Sequence, residues 1–265
     1  MSIALETMTR TFTIHSLLGI CVGLLFLAQG HSLSSAPHRE FTPVIRHGSG
    51  KAANWAGYVA AADLSIPLKH SVTDVQGSWR VPTAASSGTL DTSSAIWVGI
   101  DGDLDSTVEQ IGTEQDWSSG TPVYFAWFEM FPARAFLIMN VPIQPGDEIS
   151  AEVQFVAKNK FVLSISNLTQ NAGFSITKRR SAQRTSAEWI VEAPFFRRIL
   201  SLANFGTVTF SGCSTTIEGV EGSINSNLWH EEALTMENPV SSTILAQPSG
   251  LTGNGTGFTV DWKHH

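Results

Sequence analysis

Residues 149–166 read Ile-Ser-Ala-Glu-Val-Gln-Phe-Val-Ala-Lys-Asn-Lys-Phe-Val-Leu-Ser-Ile-Ser, and this stretch decides the fold class. Apolar and polar side chains alternate from Ile149 to Phe155 and again from Phe161 to Ile165. The polar residues Lys158-Asn159-Lys160 separate the two runs. Period-two patterning on both sides of a short polar turn predicts a β-hairpin with one buried face.

The same signal recurs along the chain from Asn54 onward. Further strands are predicted at residues 72–81, 95–101, 108–117, 123–131, 174–178, 187–195, 206–215, 242–246 and 257–262. A turn is predicted at Thr121-Pro122, and one short helix is predicted at residues 227–234. Many short strands separated by turn signals favour an all-β sandwich.

The composition limits the classes of function that are open to the chain. Its 265 residues are enough for a leader segment and one domain with a substantial core. Charged residues make up only 15% of the chain, and the formal net charge is −7. This balance gives no basic surface of the kind that nucleic-acid-binding proteins need.

The N-terminal residues have the pattern of a secretory signal peptide. Arg10 precedes an apolar run at residues 14–27, and small residues follow as far as Ala36. The run is shorter than the ~20 residues that a membrane-spanning helix needs. We therefore predict a signal peptide at residues 1–36, a linker or short pro-segment at 37–51, and one domain at 52–265. The product is expected to be secreted and free of the membrane.

The two cysteines do not predict a disulfide. Cys21 lies within the predicted signal peptide, so Cys213 would be the single cysteine of the secreted chain. We interpret Cys213 as a small buried side chain at the end of a strand rather than as a reactive thiol.

Several common hydrolase motifs are absent from the sequence. It contains no Gly-x-Ser-x-Gly, no His-Glu-x-x-His, and neither Asp-Thr-Gly nor Asp-Ser-Gly. The acidic run that starts at Asp101 lacks the glutamate that a calcium-binding EF-hand has at its twelfth position, where Gly112 stands. No metal or cofactor is expected. Carboxylates and amides remain, and together they can supply a base for water and a donor for an oxyanion.

The most informative carboxylates occur in one stretch, Ser186-Ala187-Glu188-Trp189-Ile190-Val191-Glu192. Side chains alternate along a strand, so Glu188 and Glu192 share one face with Ile190. Two carboxylates on an apolar strand repel each other and resist burial. We interpret this face as the lining of a wet cleft or of a site that performs chemistry.

Further unusual motifs occur in a fixed order along the chain. They are Asn54-Trp55-Ala56-Gly57, Trp79-Arg80-Val81-Pro82, Trp97-Val98-Gly99-Ile100-Asp101-Gly102, Gln110-Ile111-Gly112 and Trp127-Phe128-Glu129-Met130-Phe131-Pro132. Together with residues 187–192 they resemble the glutamic peptidases, the eqolisin family of acid-acting endopeptidases. The resemblance covers about residues 52–215.

The resemblance implies a fold and assigns candidate site residues. It implies a sandwich of two curved antiparallel sheets with the active site in a concave groove. Gln110 and Glu192 stand where the family places its catalytic glutamine and glutamate, while Trp97, Asp101 and Glu129 match supporting positions. The expected partners are polypeptide substrates, without nucleic acid, and the enzyme is expected to be a monomer.

Two other functions stay open on the residues alone. A glycoside hydrolase on a similar sandwich could use Glu129 and Glu192 as its acid and nucleophile. A carbohydrate-binding module could use Trp97, Trp127 and Trp189 as a floor on which sugars stack. A glycosidase has no need of Gln110, and a binding module needs neither glutamate at a catalytic position.

Overall fold

The computed structural model describes residues 33–35, 40–86 and 88–265, with backbone alone at residues 33–35. Within these ranges all regular structure is β. The strands are β1 (Leu33–Ser35), β2 (Arg46–Gly48), β3 (Lys51–Ala52), β4 (Trp55–Ala61), β5 (Val72–Arg80), β6 (Thr92–Ile100), β7 (Val108–Ser118), β8 (Thr121–Phe131), β9 (Phe136–Ile138), β10 (Glu148–Ala157), β11 (Lys160–Asn167), β12 (Ala172–Arg179), β13 (Ala187–Glu192), β14 (Thr207–Ile217), β15 (Val220–Gly222), β16 (His230–Glu237), β17 (Ile244–Pro248) and β18 (Phe258–Trp262).

The strands form two antiparallel sheets that share β16. The first sheet has the order β1-β9-β8-β7-β6-β13-β4-β16. The second has the order β12-β11-β10-β5-β14-β18-β17-β16. The first half of β16 pairs with β4 and its end pairs with β17, so this strand passes from one sheet to the other. The short pair β3–β16 is parallel.

The main core lies between the two sheets. It is built from the inward-facing side chains that the period-two patterns predict, including Val153, Leu163 and Ile165 of the hairpin. Trp189 of β13 points into this core, and its indole Nε1 donates to the carbonyl oxygen of Gln76 on β5 at 2.8 Å. This hydrogen bond ties one sheet to the other.

A second apolar cluster covers the opposite face of the first sheet. It contains Trp55 of β4, Trp97 of β6, Trp127 of β8 and Ile190 of β13, and Phe41 packs among them from outside the sheet. The predicted all-β sandwich is therefore confirmed. We call the face of the first sheet that carries this second cluster, and on which Phe41 packs, the groove.

Some local predictions were wrong. Residues 227–234 are not helical, because His230–Glu237 form β16 and pair with β4, a long-range contact that outweighs local propensity. The predicted turn at Thr121-Pro122 is displaced, since Thr121 already pairs with Ser118 and the turn falls at Ser119-Gly120. Cys213 is buried, as expected, but it lies within β14 and not at the end of a strand.

The predicted signal peptide lies mostly outside the described residues. Its residues 33–35 form β1, which pairs with the edge strand β9. Where the adjoining segment is described, Phe41 packs in the groove, and residues 46–51 contribute β2 and the start of β3. In the described part of the chain no helix is long and apolar enough to cross a membrane.

Candidate functional site

Four of the predicted site residues lie on the groove face of the first sheet. On β6, Ala95, Trp97 and Gly99 share this face because side chains alternate along a strand. Glu192 of β13 is paired with Ala95, and Gln110 of β7 is paired with Gly99. Glu129 of β8 is paired with Gln110 and extends the same row. Gln110 and Glu192 therefore do not lie on adjacent strands, because β6 runs between β7 and β13.

Glycine at position 99 makes room for this row. A Cβ atom at Gly99 would lie 2.9 Å from Cζ3 of Trp97 and 3.2 Å from Cβ of Gln110. Any larger side chain would displace the indole or the amide. Glycine at position 99 is thus explained by its close packing against Trp97 and Gln110.

Gln110 is oriented by Glu129. Its amide Nε2 donates to Oε2 of Glu129 at 3.0 Å, and both side chains are fully buried. The same nitrogen donates to the carbonyl oxygen of Phe41 at 2.6 Å. Glu129 Oε2 also accepts a hydrogen bond from the backbone N–H of Phe41 at 3.2 Å.

Glu192 is held by an indole and faces a peptide N–H. Trp97 Nε1 donates to Oε2 of Glu192 at 2.9 Å. The backbone N–H of Thr42 donates to the other oxygen, Oε1, at 3.0 Å. Gln110 and Glu192 thus contact the two ends of one peptide bond: Gln110 contacts the carbonyl of Phe41, and Glu192 contacts the nitrogen of Thr42.

Burial and mutual repulsion set the charge of the two groove glutamates. Burial raises the pKa of Glu192 well above its usual range, and the nearby carboxylate of Glu129 raises it further. Burial also raises the pKa of Glu129, although the N–H of Phe41 and the amide of Gln110 favour its ionised form. A pair in this environment holds a proton to a higher pH than free glutamates do.

Asp101 does not join this group. It lies just after β6 with φ 74°, and its carboxyl oxygens accept hydrogen bonds from the backbone N–H groups of Arg184 and Thr185, each at 2.7 Å. Burial and the neighbouring Asp105 raise the pKa of Asp101. Its contacts fix the turn that leads into β13, so Asp101 positions the strand that carries Glu192.

The tryptophan floor proposed for a carbohydrate-binding module is absent. Trp97 and Trp127 face the groove, but Trp189 faces the core between the sheets and bonds to Gln76. The alternation of β13 places Trp189 on the face opposite to Glu192. Three indoles therefore cannot present one surface to a sugar.

The sequence patterns indicated a linker or short pro-segment at residues 37–51, but not that Phe41 and Thr42 of this segment lie in the groove. Phe41 is fully buried, and its ring stacks on Trp127 with ring centroids 3.6 Å apart and an interplanar angle of 10°. The carbonyl oxygen of Thr42 accepts a hydrogen bond from Nε1 of Trp55 at 3.1 Å. Phe41 is the one Phe, Tyr or Trp residue of positions 37–51, and this was the signal in the sequence that could have pointed to the contact. We call residues 40–46 the cleft segment.

Ion pairs hold the C-terminal end of the cleft segment in place. Arg46 donates to Asp103 at 2.7 Å and to Glu232 at 2.7 Å. Glu232 lies on β16, and it also accepts the N–H of Gly50 at 2.6 Å. Among the described residues no group of three or more His, Cys, Asp or Glu side chains is placed to hold a metal ion.

Glu188 is a buried acid with no partner in the groove. Its side chain is fully buried on the same face of β13 as Glu192, and neither carboxyl oxygen accepts a hydrogen bond from a described residue. Burial raises the pKa of Glu188 well above its usual range. The nearby hydroxyl of Ser186 favours the ionised form and opposes this, while the carboxylate of Asp101 raises the pKa further.

We expect the protein to be most stable in acid and to lose stability towards neutral pH. The folded state holds the Glu188 proton more tightly than the unfolded chain, in which glutamate has a pKa of about 4.3. This contribution is complete below that pH and is lost as the pH rises through the folded-state pKa. Glu188→Gln removes the titration, so its Tm should fall less than that of the wild type between pH 4 and pH 7.5.

Thermal unfolding of both proteins at the two pH values measures this effect. For a domain of this size, each kcal/mol of lost stability appears as about 2–4 °C in Tm. The difference in slope is the informative quantity, because the substitution itself can change the Tm at every pH. Equal slopes for the two proteins would contradict the interpretation.

Comparison with known sequences identifies the family. Residues 53–246 match the family described as the Peptidase A4 family. The chain is 29% identical over 223 residues to Aspergillopepsin-2 from Aspergillus niger, an alignment that covers 74% of each chain. It is 28% identical over 212 residues to Scytalidopepsin B from Scytalidium lignicola, with 75% of each chain covered.

Comparison with solved structures gives the same answer for the fold. A scytalido-glutamic peptidase solved with a transition state analog inhibitor has a TM-score of 0.66 at 22% identity, over 80% of this chain and 98% of that chain. The aspergilloglutamic peptidase from Aspergillus niger has a TM-score of 0.56 at 27% identity, over 65% and 99% of the two chains. The family match also extends beyond residue 215, where the recognised motifs end. The chain belongs to the Peptidase A4 family, the glutamic peptidases or eqolisins, and is a glutamic endopeptidase.

Proposed function

We propose that the protein is a secreted endopeptidase that hydrolyses polypeptides in acid with a Glu192/Gln110 dyad. One observation carries this proposal: Gln110 and Glu192 bracket a single peptide bond, with the amide on its carbonyl oxygen and the carboxyl group on its nitrogen. A glycoside hydrolase has no use for an amide donor at this position. The family assignment supports the same choice.

In the proposed mechanism Glu192 acts first as a base and then as an acid. In the state in which the Glu129–Glu192 pair holds one proton and that proton is on Glu129, the carboxylate of Glu192 takes a proton from a water molecule that attacks the carbonyl carbon of the substrate. The amide of Gln110 donates to the oxyanion that forms, as it donates to the Phe41 carbonyl at 2.6 Å in the structure. Glu192 then returns the proton to the leaving nitrogen, the position that Thr42 N occupies at 3.0 Å.

The supporting residues fix the dyad in its working geometry. Trp97 donates to one oxygen of Glu192, so the other oxygen is left to face the peptide bond. Glu129 holds the amide of Gln110 and also accepts the N–H of the residue that precedes the bond. Asp101 acts at a distance, through the turn before β13.

We also propose that residues 1–36 are removed as a signal peptide and that residues 37–51 inhibit the enzyme until it reaches acid. The cleft segment fills the groove, so a substrate cannot enter while it is bound. Burial raises the pKa of Asp103, with Arg46 opposing this and Glu232 and Asp105 adding to it. Acid therefore neutralises Asp103 early and weakens its pairing with Arg46. The mature enzyme acts as a monomer in this proposal.

Activity is expected to peak below pH 5 and to be nearly absent at pH 7. Gln110 does not titrate, so the falling limb of the pH profile belongs to the Glu129–Glu192 pair. A glutamate open to water has a pKa of about 4.3. As the pH rises the pair loses its last proton, and the repulsion between two carboxylates then disturbs the dyad.

A pH–rate profile on denatured casein, with a metal chelator and a serine-directed inhibitor present, tests the proposed function. A serine or metal peptidase would gain activity towards neutral pH as its histidine or metal-bound water loses a proton. An optimum near pH 7, or loss of activity to either reagent, would refute the proposal. A β-glucan at pH 3 is the control substrate, and hydrolysis of it would favour the glycosidase.

A further inference from the structure

The peptide bond between Phe41 and Thr42 lies in the groove in the register of a substrate. Its carbonyl oxygen accepts from Gln110 at 2.6 Å and its N–H donates to Glu192 at 3.0 Å. The N–H of Phe41 donates to Glu129 at 3.2 Å. These are the contacts that the proposed mechanism requires of a bond that is about to be hydrolysed.

The chain on the N-terminal side of this bond is held as an extended ligand would be. Glu40 and Phe195 exchange two backbone hydrogen bonds, at 3.0 Å and 2.9 Å. The stacked ring of Phe41 on Trp127 supplies the side-chain anchor.

The chain on the C-terminal side is held by a separate set of contacts. The side-chain amide Nδ2 of Asn54 donates to Oγ1 of Thr42 and to the carbonyl oxygen of Pro43, both at 3.2 Å. The N–H of Val44 donates to the carbonyl oxygen of Gly102 at 3.0 Å. The chain before the Phe41–Thr42 bond and the chain after it are therefore held by separate contacts. Together these contacts place the bond between Gln110 and Glu192.

We infer that the chain cleaves itself between Phe41 and Thr42, so that residues 37–51 contain the first substrate of the enzyme as well as its inhibitor. The inference rests on the proposed Glu192/Gln110 dyad. It also moves the start of the processed enzyme from the sequence-based boundary at residue 52 to Thr42.

The step balances as a simple hydrolysis. The oxygen of a water molecule bonds to the carbonyl carbon of Phe41 while one water proton passes to Glu192. The bond from that carbon to the nitrogen of Thr42 then breaks, and Glu192 gives the proton to this nitrogen. The products are a fragment that ends in the carboxyl group of Phe41 and a chain that begins with the amino group of Thr42.

The test is acid incubation of the purified full chain, followed by intact mass measurement and N-terminal sequencing. We expect a product that begins at Thr42 at pH 3.5 and much slower conversion at pH 7. The rate should not change on hundredfold dilution, because the bond lies in the groove of its own chain. Glu192→Gln should remain uncut under the same conditions.

A matched pair of variants separates recognition of this bond from general exposure of the segment. Phe41→Ala removes the ring that stacks on Trp127 and should slow the cut at least about tenfold. Ile45→Ala alters the same segment at a side chain that is 41% exposed, and it should leave the rate unchanged. Equal slowing in both variants would overturn the inference.

Casein hydrolysis, measured in the same samples, distinguishes the possible failures. If casein is degraded while the chain stays intact or is cut only elsewhere, self-cleavage at Phe41–Thr42 is wrong and the proposed function survives. If neither substrate is cut at any acidic pH, the proposed function itself fails. A Thr42 terminus in Glu192→Gln, or a rate that falls on dilution, would also overturn the inference, because either shows that another molecule makes the cut.

Discussion

Glu192→Gln is expected to fold like the wild type and to lose essentially all peptidase activity. The amide keeps the shape of the side chain and still offers an oxygen to Nε1 of Trp97, which donates to Glu192 at 2.9 Å. It cannot take a proton from water or return one to the leaving nitrogen. General acid–base catalysis alone contributes about 10²–10⁴-fold, and in the proposed mechanism the same group also holds the attacking water. We therefore expect a loss in kcat/KM at or above the top of this range.

Glu188→Gln is the matched control for this prediction. Glu188 and Glu192 lie on the same strand and the same face, two positions apart on that face, and both are fully buried. No described contact joins Glu188 to the Phe41–Thr42 bond. We expect a mild change in kcat/KM from this variant, together with the altered pH dependence of stability described above. Equal losses in the two variants, or turnover close to that of the wild type in Glu192→Gln, would show that the roles are assigned wrongly.

Both assays should be made on folded protein at one acidic pH. Circular dichroism and thermal unfolding check that each variant keeps the wild-type fold, and kcat/KM on a synthetic peptide then reports the chemistry. This separation matters because replacement of a buried group often changes stability as well as activity.

The parts of the fold that sequence patterns predict are those set by local alternation. The hairpin of β10 and β11 follows from Ile149 to Ile165 because one face of each strand is buried and the other is not. The ends of a strand that is buried on both faces are harder to predict from the sequence. The strand β6 is buried at every position from Thr92 to Ile100, so alternation is weak there, and its predicted start at residue 95 was three residues late.

The predicted helix at residues 227–234 shows a second limit. The strand β16 forms because β4 lies beside it, and a contact across more than 150 residues leaves no mark in the local sequence. The pairing that carries β16 from one sheet to the other is likewise a property of the assembled sandwich. A single sequence shows the residues of such a strand but does not show which strand pairs with it.

In the candidate site, too, some residues could be predicted from the sequence and some contacts could not. The residues Gln110, Glu129 and Glu192 were identified by motif, and the pairing register brings them onto one face. Asp101 was also identified by motif, but its position next to Arg184 and Thr185 could not be inferred from a turn-like sequence. The contact of Phe41 with the groove was not predicted, because it depends on the shape of the groove and on Trp127, which lies 86 residues further along the chain.

Gln110→Ala is expected to lower kcat by about 10²–10³-fold, the usual effect of removing one oxyanion donor. In the structure the amide of Gln110 donates to the carbonyl oxygen of Phe41 at 2.6 Å and to Glu129 at 3.0 Å. Truncation leaves the developing oxyanion without its donor. It also leaves Oε2 of Glu129 without the amide partner and frees that carboxyl group to move. The effect should fall on kcat more than on KM, because the donor acts most strongly when the oxygen becomes charged.

Two further variants make this result specific. Gln115→Ala changes the same residue type on the same strand, but Gln115 lies on the opposite face and donates to Thr113 at 2.6 Å, so kcat should change little. Gln110→Glu keeps the shape and is itself a donor while it is protonated, so it should retain more activity at pH 3 than at pH 5. A kcat for Gln110→Ala within a few-fold of the wild type would remove Gln110 from the dyad. A flat ratio of Gln110→Glu to wild-type activity across this pH range would show that the side chain does not donate to the oxyanion.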